Sequence, residues 1–247
     1  MNEFSGFTRA SPATADMSVD VGLRNFMLGV YNKMALGLVL TGILAFVVGM
    51  VPEVRQLFFT VEDGRLSMTL LGFLMKFAPL AIIFGAMFFM KDPSPQSSGI
   101  MYWVLVSAIG ITSGYWFIVY QMESLAQVFF ITAASFGALS LWGYTTKKDL
   151  SGWGSFLIMG LFGMIIASLV NVFFVKSGVM QLAISAIGVL IFAGLTAFDT
   201  QNLKMTYYAL GGNQRALGVA TNFGALNMYL NFINLFQLLL SIFGSRR

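Results

Sequence analysis

The stretch QLAISAIGVLIFAGLTAF, residues 181–198, contains no charged side chain, and the residue that follows it is an acid, Asp199. Beyond a polar interval, a second uncharged stretch, ALGVATNFGALNMYLNFINLFQLLLSIFG, runs from Ala216 to Gly244. Runs of this length and apolarity match the roughly 20 residues that carry a helix across a hydrocarbon core. Ionisable groups at such depth are rare and costly, face a bundle interior or water rather than lipid, and are functional candidates by default. Asp199 is therefore the residue around which the rest of the chain is read.

Composition fixes the class. Of the 247 residues, 57% are hydrophobic and 10% charged, and the mean hydropathy is +0.81. These values lie far from those of a soluble domain and describe an integral membrane protein. At about 20 residues per crossing, seven crossings fit if the loops are short. The expected fold is an all-α bundle of seven transmembrane helices forming one domain, residues 25–247, after a flexible polar tail, residues 1–24. That tail lacks the basic start, apolar core and cleavage site of a signal peptide. The chain has no Cys and no His. Disulfides, thiolate metal sites and the usual histidine pH switch are thus excluded, and proton sensing would fall to carboxylates. An enzyme is not expected, since no nucleophile lies beside a base. The net charge of +4 is spread among loops, so nucleic acid is not an expected partner.

The breaks between apolar runs give seven spans: Phe26 to Val51, Met68 to Met90, Ile100 to Gln121, Leu125 to Tyr144, Gly154 to Val175, Gln181 to about Ala209, and about Thr221 to Phe243. The third and fourth, separated only by Met122-Glu123-Ser124, predict a tight antiparallel hairpin. Seams on the third span (Ser107, Gly110, Gly114) and on the fifth (Gly160, Gly163, Ala167, Asn171) predict close helix approach. A cytoplasmic N-terminus would put eight of the 14 Lys and Arg inside, including Lys91, Lys147 and Lys148 in two short loops. Lys76, well inside the second span, has no assigned role beyond snorkelling to an interface.

The seventh span carries a polar stripe. Asn227, Asn231, Asn234, Gln237 and Ser241 recur in steps of three and four, with Gly224 continuing the series backwards. Such spacing places them on one face of a helix. An amide facing lipid leaves donors and acceptors unpaired at about 1 to several kcal/mol each, so the face should look into protein or water and the seventh helix should be central. With the sixth helix ending near Ala209 and the seventh starting near Thr221, Asp199 and Asn231 each fall roughly 15 Å from the connecting loop. They can share one level. Read singly, each amide is helix-to-helix glue. Together, opposite an acid, they suggest a polar path.

Phe198-Asp199-Thr200-Gln201, followed by the segment from Gly224 to Phe236, GALNMYLNFINLF, resembles the Bax inhibitor-1 (transmembrane Bax inhibitor motif) family, and the length and short tail look most like its bacterial branch. Val30-Tyr31-Asn32-Lys33, Phe77-Ala78-Pro79-Leu80, Phe129-Phe130-Ile131-Thr132-Ala133 and Thr145-Thr146-Lys147-Lys148-Asp149-Leu150 extend the likeness from about Arg24 to Phe243. The resemblance implies seven helices with the last enclosed, and a pH-sensitive, calcium-permeable leak closed by two hydrogen-bonded carboxylates. Asp199 matches the first. Where the family pattern has the second, in a YLDFIN-like segment, this chain has Asn231.

Two close carboxylates share a proton because both cannot be charged cheaply, and an amide cannot reproduce that repulsion. The expectation is weaker or acid-shifted gating, with Asn227, Asn231 and Asn234 lining an ion path beside Asp199. Lys33, Lys91 and Lys204 are the charge partners on offer. No cofactor is expected. Calcium takes six to eight oxygen ligands, so Asp199 with neutral amides is at best a weak, transient calcium site. The expected partners are the lipid bilayer and calcium or another cation, in a bacterial inner membrane with the N-terminus cytoplasmic. The alternative implied by the resemblance is a non-transporting regulator that binds other membrane proteins, such as a membrane-bound protease.

Overall fold

The computed structural model describes residues 20–62 and 65–247. The tail expected for residues 1–24 lies mostly outside them, but its last residues do not: α1 (Val21–Met50) starts there because the Asp20 carboxylate accepts the Leu23 N–H at 2.9 Å and caps the first turn. Pro52 then stops α1 and opens a short α2 (Pro52–Phe58). An antiparallel hairpin of β1 (Phe59–Glu62) and β2 (Arg65–Met68) follows, pairing Phe59 with Met68. It falls in the charged interval between the first two expected spans, to which no element had been assigned. Thr69 caps α3 (Leu70–Phe89), accepting the Gly72 N–H, and its hydroxyl also ties the helix to the Leu57 carbonyl at 2.6 Å.

Ser94 and Ser97 form a capping box with Pro95 in the first turn of α4 (Pro95–Thr112). At Ser113 the helix breaks and continues as α5 (Gly114–Val119). The remaining spans are α6 (Met122–Thr145), α7 (Ser151–Val170) extended by a π turn (Asn171–Val175), α8 (Gly178–Ala209) and α9 (Gln214–Phe243). Lys176, left-handed at φ 51°, makes the turn into α8, and Gly211 and Gly212, both at positive φ, make the turn into α9. Asn213 caps α9, which therefore begins two turns before Thr221.

Among the described residues seven helical segments are long and apolar enough to cross a membrane, and the protein is an all-α membrane bundle. α9 is its axis, packed by α1, α4, α6 and α8. α3 lies outside against α4, and α7 outside against α8. The tight hairpin expected of the third and fourth spans is corrected here: α6 packs on α8 and α9, whereas α4 packs on α1, α3 and α9. α4 and α5 both lie along α1 while α6 departs for α8 and α9, so the two spans are joined closely but do not run side by side. Small residues permit the tight crossings: a Cβ on Gly114 would lie 2.6 Å from Val48, and one on Gly143 would lie 2.3 Å from the Ala197 carbonyl. The expected seam on the fifth span is looser, since a Cβ on Gly163 would meet nothing within 4 Å. The chain end is tied down, with Gln121 N–H donating to Ser245 O and Arg247 N–H to Val119 O.

Candidate functional site

The turn Asp199-Thr200-Gln201 of α8 distributes its three polar side chains around the helix, as successive 100° steps require. Asp199, half-buried, faces α9, where the amide Nδ2 of Asn231 donates to its Oδ2 at 2.7 Å. Thr200 is fully buried, donates to the Thr196 carbonyl and lies 3.2 Å from the Tyr31 hydroxyl of α1. Gln201 clips the α6–α7 connection from both ends, accepting the Leu150 N–H and donating to the Lys148 carbonyl, each at 2.8 Å. One helical turn thus joins α8 to α9, to α1 and to a loop.

Asn231 is buried, with 6% of its surface exposed, and the geometry assigns its orientation: an ionised carboxylate only accepts, so the amide NH2 turns toward it. The other members of the stripe behave differently. Asn234 donates to the Leu230 carbonyl of its own helix, Ser241 accepts from Ser185 of α8 at 3.2 Å, and Asn227 and Gln237 are exposed. The polar face of α9 exists as spaced in the sequence, but only Asn231 touches Asp199. The rest looks out through the gap between α4 and α8, which flank α9 on either side of the stripe without covering it.

The three lysines considered as charge partners are placed elsewhere. Lys33 donates to the Asn222 side-chain oxygen and lies 5.2 Å from the Tyr102 ring centre. Lys204, buried, donates to the Tyr144 carbonyl at 2.6 Å and sits over the Tyr144 ring. Lys91 is exposed in the α3–α4 connection, next to Asp92, which pairs with Arg215 at 2.9 Å.

Sequence reading overlooked a second polar centre. Asn222 donates to the Pro95 carbonyl and the Ser98 hydroxyl, both at 2.8 Å, while accepting from Lys33, and so links α1, α4 and α9. Asn222 stands off the stripe by helical phase, on the face toward α4. A polar residue alone on an otherwise apolar face was the available signal. Nearby, Thr41 and Tyr229 hydroxyls meet at 2.6 Å in the buried core.

Chemically, the Asp199 site offers one carboxylate with an amide donor on a central helix. Among the described residues no cluster of three or more Asp, Glu, His or Cys is built to hold a metal ion. The arrangement can accept a proton or make transient contact with a cation.

Relatives can now be set beside this geometry. The chain is 56% identical to an uncharacterized protein of Caulobacter vibrioides over the full length of both. It is 40% identical to the uncharacterized protein RP147 of Rickettsia prowazekii, covering 98% of each chain. It is 42% identical to the inner membrane protein YbhL of Escherichia coli, over 92% of this chain and 94% of that one. The family described as "Inhibitor of apoptosis-promoting Bax1" matches residues 23–247, nearly the whole length. With seven helices long and apolar enough to span a membrane among its described residues, a central last helix and a family match of that extent, this chain belongs to the Bax inhibitor-1 family of membrane proteins.

Proposed function

We propose that the protein is a non-enzymatic, pH-sensitive leak for calcium or a related cation, gated where Asp199 meets Asn231. The observation that carries this reading is the 2.7 Å hydrogen bond between those side chains, on the two helices that share the most extensive contact in the bundle. A carboxylate in such a place is costly unless it is used. Its protonation or its contact with a cation would compete with the Asn231 bond and loosen α8 from α9. With one acid in place of two there is no proton to share, so the pH response is shallow. We place the protein in a bacterial inner membrane, as its likeness to the E. coli inner membrane protein YbhL supports, with the N-terminus cytoplasmic as the basic loops favour.

Calcium flux into liposomes holding the full-length protein, measured across pH, tests the reading. The expected results are flux with weak pH dependence in the native protein, altered flux in Asp199→Asn, and a steeper neutral-pH transition in Asn231→Asp. A native transition as sharp as that of Asn231→Asp would defeat the single-acid gate, and flux no greater than that of empty liposomes would defeat the leak.

A second reading is favoured by the family description, which names an inhibitor of another protein. On it, the protein binds and modulates a membrane-protein partner, such as a membrane-bound protease, and passes no ion. Asp199→Asn would then leave function intact while removal of residues 1–19 would not.

A further inference from the structure

Near the end of the bundle that carries the C-terminus, α3, the α4–α5 break and α9 enclose a cavity of about 480 Å3. Lys76 of α3 lines it, together with Asn234 and Gln237 from the uncovered face of α9 and apolar side chains such as Met75, Ile111 and Leu230. Among the described lining residues Lys76 is the one full charge, with no carboxylate beside it. Among the described side chains, which exclude those of residues 61–65, Lys76 makes no hydrogen bond or ion pair; the ion pair found there, Arg215 with Asp92, joins the α3–α4 connection to the start of α9. Gln237, exposed and without a bonded partner among the described residues, stands on the same side.

Depth narrows what can meet these groups. At ~1.5 Å rise per residue, Lys76 lies about 9 Å along α3 from Leu70, and Gln237 about 9 Å along α9 from Phe243. Both ends lie on one side of the bundle, and a lysine stem spans much of the remaining distance to headgroup level. The Lys76 ammonium brings three donors, no acceptor and a full charge, which is costly beside hydrocarbon, and the Gln237 amide adds two donors beside it. Phosphate oxygens supply several strong acceptors at that level, and the apolar walls suit an acyl chain. A cation is disfavoured by Lys76, so this cavity is distinct in charge logic from the Asp199 site.

We propose that the cavity binds an anionic phospholipid of the surrounding bilayer, its phosphate held by the Lys76 ammonium and the Gln237 amide and an acyl chain lying against Met75, Ile111 and Leu230. A zwitterionic lipid fits less well, since its headgroup cation finds no described carboxylate in the lining. A free anion would leave the apolar walls unmatched. The inference stands apart from the leak reading, because it concerns another cavity and another sign of charge.

Native mass spectrometry of the full-length protein in mild detergent tests it, with phosphatidylglycerol, phosphatidylcholine and glycerol 3-phosphate as probes. The expected result is preferential retention of phosphatidylglycerol, reduced about fivefold by Lys76→Gln, kept by Lys76→Arg and reduced less by Gln237→Leu. Phosphatidylglycerol should also raise the melting temperature of the native protein more than that of Lys76→Gln. Equal retention of both lipids by the native protein would overturn the proposal, as would displacement of the lipid by glycerol 3-phosphate or unchanged retention in Lys76→Gln. Should Lys76→Gln fail to fold, an undiminished preference for phosphatidylglycerol in Gln237→Leu would overturn it instead.

Discussion

α7 and α9 differ in the direction opposite to that of helices in a water-soluble protein. α7, with its π turn, is the most apolar of the seven spans, yet only 6% of its apolar stretch is buried. α9 is the least apolar, and 56% of its stretch is buried. α3 repeats the pattern of α7, being strongly apolar and 6% buried. In lipid, apolar side chains gain little by leaving the solvent, so hydrophobicity does not drive a helix inward. What drives it inward is the need of polar groups for partners. Asn222, Tyr229 and Asn231 each find one, and α9 is central because of them.

One chemical change made twice tests this contrast most severely. Gly143→Ala puts a methyl group against the backbone of Ala197 where α6 crosses α8, and should cost about 3 kcal/mol or more by forcing the helices apart. Gly163→Ala on α7 meets nothing and should stay within about 0.5 kcal/mol of the native protein. Thermal unfolding in detergent compares the two, and equal shifts would remove the distinction between centre and periphery.

A smaller effect is expected from polar connections. Asn222→Leu leaves the Lys33 ammonium, the Ser98 hydroxyl and the Pro95 carbonyl short of a partner, a loss of about 1 to 3 kcal/mol. Phe88→Ala, on the outer face of α3, should change stability by less than about 0.5 kcal/mol although it deletes far more apolar surface. If the phenylalanine matters more, the bundle is held by apolar burial after all.

The smallest effect belongs to the helix end. The Leu23 N–H bonded to the Asp20 carboxylate holds its pKa below the ordinary carboxylate value. A depressed folded-state pKa means that the cap stabilises α1 above the unfolded value and is lost as pH falls through the folded value. Asp20→Ala should therefore speed hydrogen exchange in the first turn of α1 at about pH 7, by a margin that shrinks as the pH falls below the ordinary carboxylate value of about 3.9. A difference that persists in acid would show that the cap does not act through its charge.

The span count and the enclosed last helix were legible because hydropathy and the three-four spacing of polar residues are local properties. So was the break at Pro52, since proline cannot continue a helix. The hairpin from Phe59 to Met68 was not, because its strands are only four residues long and the charges of Glu62, Asp63 and Arg65 make the segment read as a loop. The α4–α6 relation was misjudged because a short link limits distance at one end only and does not reveal that α6 packs on α8 and α9 while α4 and α5 pack on α1. Asn222 was passed over because its partners, Lys33, Pro95 and Ser98, come from two other helices.

By itself the sequence determined a membrane bundle, the acid at Asp199, the amide at Asn231, and a polar face along α9. Each is a matter of composition or helical phase, and phase is set by a residue's position in its own helix. Only the tertiary structure decided that Asn231 alone of that face reaches Asp199, that Asn227 and Gln237 look out between α4 and α8, and that Lys76 lines the cavity beside them. Those facts depend on which helices flank α9 and which leave it uncovered. In a bilayer that choice rests on polar pairing and close packing between distant segments, which no single run of residues records.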